Sequence, residues 1–126
     1  MNKFINDVYL AGPMRGIPDF NFPAFFRAAH NLELRGYTVF NPAKRDIDVY
    51  GTQVSQSTTG DLSDIQCVGF SLREALGADL AYICVKAEAI ALLPGWENSK
   101  GVAAELATAQ ALGLVEIYLN DHGEIV

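Results

Sequence analysis

Basic residues, cysteines and histidines are scarce in this sequence, and each scarcity excludes something. Nine lysines and arginines stand against fifteen aspartates and glutamates, a formal charge of −6. Nucleic-acid polymers are bound through basic stripes that offset their dense phosphate charge. The one adjacent basic pair, Lys44-Arg45, is followed at once by Asp46 and Asp48, so no such stripe exists and no polymer partner is expected. A small anion is a different case, because one arginine and one helix N-terminus can hold a single phosphate. The two cysteines, Cys67 and Cys84, form no CxxC pair and no zinc-type spacing with His30 or His122. Neither a disulfide framework nor a metal is expected, and both thiols, in apolar surroundings, read as buried and reduced. The N-terminus lacks the regions of a signal peptide, and no apolar run reaches the roughly 20 residues that span a bilayer. These absences predict a cytoplasmic protein without a membrane partner. No cofactor is expected.

What is present is apolar sequence: 50% of the 126 residues are hydrophobic and 19% are charged. Such a chain buries a core without staples and reads as one domain, residues 1–126. Strand and helix signals alternate along it. Val8 to Ala11 is a short apolar run closed by Gly12-Pro13. Asn21 reads as a helix N-cap with Pro23 in the first turn. Phe22, Phe25, Phe26, Ala29 and Leu32 form the apolar stripe of that helix, and Gly36 ends it. Tyr37 to Phe40 is a second strand, closed by Asn41-Pro42. Ala43 to Phe70 is irregular, and its length predicts a short helix, a lid over a site, or both.

Ser71 and Glu74 have capping-box spacing. The helix they start has Leu72, Ala75, Leu76, Leu80 and Ile83 as its apolar face. Ala89 to Leu93 is a third strand, Pro94 to Gly101 a turn, and Val102, Leu106 and Ala109 the stripe of a further helix ended by Gly113. Leu114 to Leu119 is a fourth strand, with room for a fifth at the C-terminus. The order predicts an α/β fold: a doubly wound parallel sheet of four to five strands with helices on both faces. Ligands bind such sheets at the carboxyl ends of the strands, where strand order reverses. That rule selects Gly12–Phe20, the long irregular segment, and Pro94–Gly101.

Two acids fall on apolar stripes in elements that border this region. Glu105 lies three residues after Val102 and four before Ala109, near a helix N-terminus. Its position alone reads equally as a solvated edge glutamate or a working carboxylate. Asp79 lies seven after Leu72 and four before Ile83, and alone it reads as an edge aspartate paired with Arg73 or a backbone amide. Together they suggest paired carboxylate work, as at a glycosidic bond. Gly95, Ser99 and Gly101 precede a helix, where backbone amides can approach an anion. Gly12, Met14 and Arg15 occupy the turn after the first strand, and Arg15 could clamp a phosphate or sit as a surface charge. Tyr9 reads as core, and Trp96 as a base-stacking ring or a core cover.

Three segments, YLAGPMRG at 9–16, GYTVFNP at 36–42 and LLPGWENSKGVAAELATAQALG at 92–113, resemble the nucleoside 2-deoxyribosyltransferase superfamily, most closely its small, often phage-encoded branch. The resemblance implies a flavodoxin-like sheet and a glutamate nucleophile at the position of Glu105. It also implies an aspartate at Asp79 and a tyrosine, at Tyr9, that orients the nucleophile. The implied reaction is attack on C1′ with departure of the base, completed by water in a hydrolase or a second base in a transferase. Arg15 and Ser99 match the phosphate-binding positions of the branch that hydrolyses deoxynucleoside 5′-monophosphates, whereas Pro13 replaces a serine of that branch. A small-molecule nucleotide or nucleoside partner, and a homodimer or larger homo-oligomer, are implied with it. A second reading is a module that binds or sequesters a nucleotide without turning it over. A third, similar to phosphoribohydrolases with a PGGxGTxxE motif, is weakened because PGWENSKGVAAE lacks the second glycine and the threonine.

Overall fold

The computed structural model describes residues 4–126. Four strands, β1 (Asp7–Ala11), β2 (Thr38–Phe40), β3 (Ala89–Leu92) and β4 (Val115–Tyr118), pair in parallel in the order β2-β1-β3-β4. β1 and β3 occupy the centre and are almost wholly buried, as expected of parallel strands covered on both faces. Their side chains alternate between two cores, because successive residues of a strand point to opposite faces. Val8, Leu10, Ala89 and Ala91 face α1 (Phe22–Leu34) and α2 (Pro42–Tyr50). Tyr9, Ala11, Ile90 and Leu92 face α3 (Leu72–Val85) and α4 (Lys100–Ala111). The doubly wound α/β expectation therefore holds. β2 lies on one side of β1 and β3 on the other, so strand order reverses between the carboxyl ends of β1 and β3. The fifth strand is reduced to a single antiparallel bridge, Leu119 to Ile125.

Local chemistry differs from expectation at several points. Asn21 stands before α1, but with φ 64° and ψ 16° its side chain caps no amide. Its Nδ2 donates instead to the Pro13 carbonyl at 3.0 Å, holding the loop after β1. Phe26 is 40% exposed, and Ala28 takes the inward place on the stripe. Leu72 is also exposed. Asn41-Pro42 starts a helix as well as closing β2: the Asn41 Oδ1 accepts from Ala43 N at 3.0 Å, and Pro42 fills the first helical position. The expected capping box is closed through a third residue. Ser71 Oγ accepts from Glu74 N, while Tyr50 Oη accepts from Ser71 N and donates to Glu74 Oε2, both at 3.3 Å. Cys67 and Cys84 are exposed free thiols rather than buried ones, because each lies on the outward side of its short turn or helix.

The irregular stretch is α2 followed by two 3-10 turns, Thr52–Ser55 and Leu62–Val68. Ser57 is its hub. The Ser57 hydroxyl donates to Asp64 Oδ2 at 2.6 Å and accepts from Gly60 N and Asp61 N at 2.9 and 3.2 Å. Two backbone bonds then tie this strap to the loop after β1: Gly16 N to Gly60 O at 2.9 Å and Asp19 N to Ser57 O at 2.7 Å. Gly60 has φ +74°, and a side chain there would sit against the Ile17 backbone and 2.7 Å from Gly16 N. The tied loop holds three consecutive non-glycine residues, Asp19, Phe20 and Asn21, at positive φ. Each such residue costs about 1–2 kcal/mol, so the loop conformation persists because the strap over-determines it.

Candidate active site

A cleft of about 650 Å³ opens at the point where strand order reverses. The loop after β1 supplies Gly12, Met14 and Arg15 to its lining. The turn after β3 and the start of α4 supply Gly95, Ser99 and Gly101. Glu105, Asp79 and Tyr9 line it from α4, α3 and β1. The strap closes one wall with Val54, Leu62 and Ile65. The three segments picked out by the switch-point rule thus face one cavity.

At its inner end the Tyr9 hydroxyl donates to Glu105 Oε2 at 2.7 Å, a buried contact across 96 residues of sequence. Glu105 is 7% exposed and Asp79 is 8% exposed. Burial pushes the Glu105 carboxyl up to about 8; the Tyr9 hydrogen bond pulls it down and the neighbouring Asp79 charge raises it. Burial likewise raises Asp79 to about 7, with the Asp46 charge adding to the rise and Tyr9 opposing it. The Tyr9 hydroxyl is itself raised well above its ordinary value, by burial first and then by the two carboxylates. Asp79 Oδ1 is buried without a hydrogen-bond partner among the described residues. Two adjacent buried carboxyls cannot both ionise cheaply, so near neutral pH the pair holds a proton between them.

The remaining predicted residues divide by what holds them. Gly12 is demanded by packing, since a Cβ there would lie 2.8 Å from the Leu93 side chain. Gly95 adopts φ +88° and permits the turn. Ser99 is the N-cap of α4, its Oγ accepting from Val102 N at 3.2 Å. A Cβ at Gly101 would make only an ordinary contact, with Ser99 Oγ 3.9 Å away. Arg15 is exposed at the mouth and also borders a shallow hollow with Gly16, Thr59, Gly60 and Asp61. Trp96 is the exception: it does not line the cleft. The 3-10 turn Trp96–Asn98 directs its ring onto Tyr118, 6.0 Å between centroids, and Asn98 lines the cleft instead. The Trp96 ring packs against the core between the sheet and α4.

One residue of the site escaped the sequence reading. Asp46, on α2, is 5% exposed and lines the same cleft. Its Oδ1 accepts from Arg45 Nη1 at 3.2 Å. Burial raises its carboxyl to about 6, with the Arg45 contact opposing the rise. The signal was present: Ala43, Asp46, Ile47 and Tyr50 fall at i, i+3, i+4 and i+7, the same pattern that singled out Glu105. It required recognising Asn41-Pro42 as a helix start.

The fold and cleft define a class: an open, doubly wound α/β domain with a carboxylate-lined pocket at its switch point. Within that class, the chain belongs to the family described as Domain of unknown function (DUF4406), whose model matches residues 6–118. Comparison with curated proteins gives no match. No helix among the described residues is long and apolar enough to cross a membrane.

Proposed function

We propose that the protein cleaves, or transfers at, the N-glycosidic bond of a nucleoside 5′-monophosphate, with Glu105 as nucleophile, and that it resembles the nucleoside 2-deoxyribosyltransferases in doing so. The observation that carries this reading is the buried Tyr9–Glu105 hydrogen bond beside Asp79 in a cleft whose mouth carries Arg15 and the N-terminus of α4. Tyr9 orients the Glu105 carboxylate and favours its ionised form. Glu105 forms an ester bond to C1′ as the bond from C1′ to the base nitrogen breaks. Asp79 gives its proton to the departing base. Water then adds to C1′, returning its proton to Asp79 and releasing Glu105; a second base in place of water makes the same site a transferase. Arg15 and the amides at the start of α4 take the phosphate, where a helix N-terminus favours negative charge. Met14 and the apolar wall of the strap leave room for a base.

This reading places the protein in the cytoplasm as a homodimer or larger homo-oligomer acting on a free nucleotide. Incubation with a panel of (deoxy)nucleosides and their 5′-monophosphates, with free base followed by chromatography, tests it. Base release by the wild type, lost by orders of magnitude in a folded Glu105→Gln variant, is the expected result. Ligand binding without product, unchanged in that variant, points to a sequestering module instead.

A further inference from the structure

We propose that Asp46, gripped by Arg45 on α2, is a positioning residue whose negative charge keeps Asp79 in its protonated, proton-donating form. The inference rests on the glycosidic reading above for its catalytic consequence, but its electrostatic core stands apart from it. Three helices bring one carboxyl each to the cleft: Asp46 from α2, Asp79 from α3 and Glu105 from α4. All three are more than nine-tenths buried, so water screens their charges little. Asp79 Oδ1 has no partner among the described residues. An ionised Asp79 would leave that oxygen unsolvated, whereas a protonated Asp79 has a hydrogen to offer a ligand in the cleft.

The influence of Asp46 is directed. After burial, its charge is the strongest influence holding the Asp79 carboxyl up, whereas the charge that raises Glu105 is that of Asp79. The groups facing Asp79 from other elements are Asp46 and Arg45 on α2, Tyr9 on β1 and Glu105 on α4. Arg15 and Lys100 line the same cleft from the loop after β1 and the start of α4. Tyr9 and Arg45 favour ionisation of Asp79. Arg45 is engaged elsewhere, however: its guanidinium donates to Asp46 at 3.2 Å and lies 5.8 Å from the Tyr50 ring centre. It thereby keeps Asp46 the more acidic of the two aspartates, at about 6 against about 7. As pH rises Asp46 therefore ionises first, and Asp79 keeps its proton to higher pH. In the proposed reaction the proton of Asp79 leaves with the base, so a weaker hold on that proton in the resting enzyme leaves fewer molecules ready to react.

The test follows Asp79 by carboxyl carbon-13 NMR in aspartate-labelled full-length protein, assigned with Asp79→Asn, in wild type and Asp46→Asn. The Asp79 midpoint is expected to fall by about one pH unit in the variant. Turnover near neutral pH is expected to fall about fivefold on the best nucleotide of the panel, since a midpoint displaced from about 7 to about 6 lowers the protonated fraction at pH 7 from about one-half to about one-tenth. The same sugar phosphate carrying 4-nitrophenol, which departs without a proton, should slow far less. Should Asp46→Asn not fold, Asp46→Ser, also neutral, must give the same displacement. An unmoved Asp79 midpoint overturns the proposal, as does equal slowing of both substrates. If the wild type releases base from nothing, the glycosidic reading fails, and the NMR midpoint still decides the coupling between Asp46 and Asp79.

Discussion

Glu105→Gln should stabilise the protein while disabling it, and the size of the effect follows from the burial of Glu105. Its carboxyl stands at about 8 when folded, against an ordinary 4.5. The folded chain therefore holds this proton more tightly than the unfolded chain does. The stability it confers is fully present below about 4.5 and is lost as pH rises through about 8. At about 1.4 kcal/mol per pKa unit the whole displacement would approach 5 kcal/mol. Because Asp79 and Glu105 share a proton, roughly 2–4 kcal/mol of it belongs to Glu105. Glutamine has no proton to lose, and its amide can donate to the unpartnered Asp79 Oδ1. Wild type and variant should then melt together near pH 4.5 and diverge at alkaline pH, the variant higher by about 10 °C at about pH 8.5. Thermal melts by circular dichroism across that range measure the gap. Parallel curves, or a variant that melts lower at every pH, would refute the argument that Glu105 carries a strained buried charge. Stability gained where activity is lost is the usual signature of a working residue.

Three further outcomes follow from the geometry. Tyr9→Phe removes the donor to Glu105, a charge-assisted bond of about 1.5–3 kcal/mol. The acid limb of the pH–rate profile should move up by about one to two units, and an unshifted limb would separate Tyr9 from Glu105 in function. Arg15→Ala should raise KM for a 5′-monophosphate by about tenfold or more, with little change for the nucleoside, in line with loss of a charged hydrogen bond; equal changes would remove Arg15 from phosphate binding. Gly60→Ala places a side chain against the backbone of the loop after β1 at positive φ. It should cost about 2 kcal/mol or more in urea unfolding, and a loss within about 0.5 kcal/mol would show that the strap does not need this close approach.

Much of the scaffold was legible because it is written in local patterns. The runs at Val8–Ala11 and Ala89–Leu93, the Ser71 cap and the stripe on α4 each depend on residues within one or two turns of one another. The inward positions of Glu105 and Asp79 followed from the same periodicity. Local patterns mislead at two aromatic residues. Phe26 reads as core from its spacing but faces outward. Trp96 sits in a turn beside the cleft, yet the ring of Tyr118 on β4 draws it away.

The sequence by itself thus determined the alternation of strands and helices, the parallel sheet, and the three segments and two acids at its switch point. The Tyr9–Glu105 pairing was implied by the resemblance and is a hydrogen bond in the structure; only the tertiary structure decided that Asp79 is left with an oxygen unpaired among the described residues. It also decided that Asp46 joins them and that Cys67 and Cys84 face solvent. Periodicity fixes the direction in which a side chain leaves its own helix or strand. The ionisation and partners of a buried group are fixed by charges and dipoles brought from elsewhere in the chain, here from α2, α3, α4 and β1 together, and that convergence exists only once the sheet has assembled.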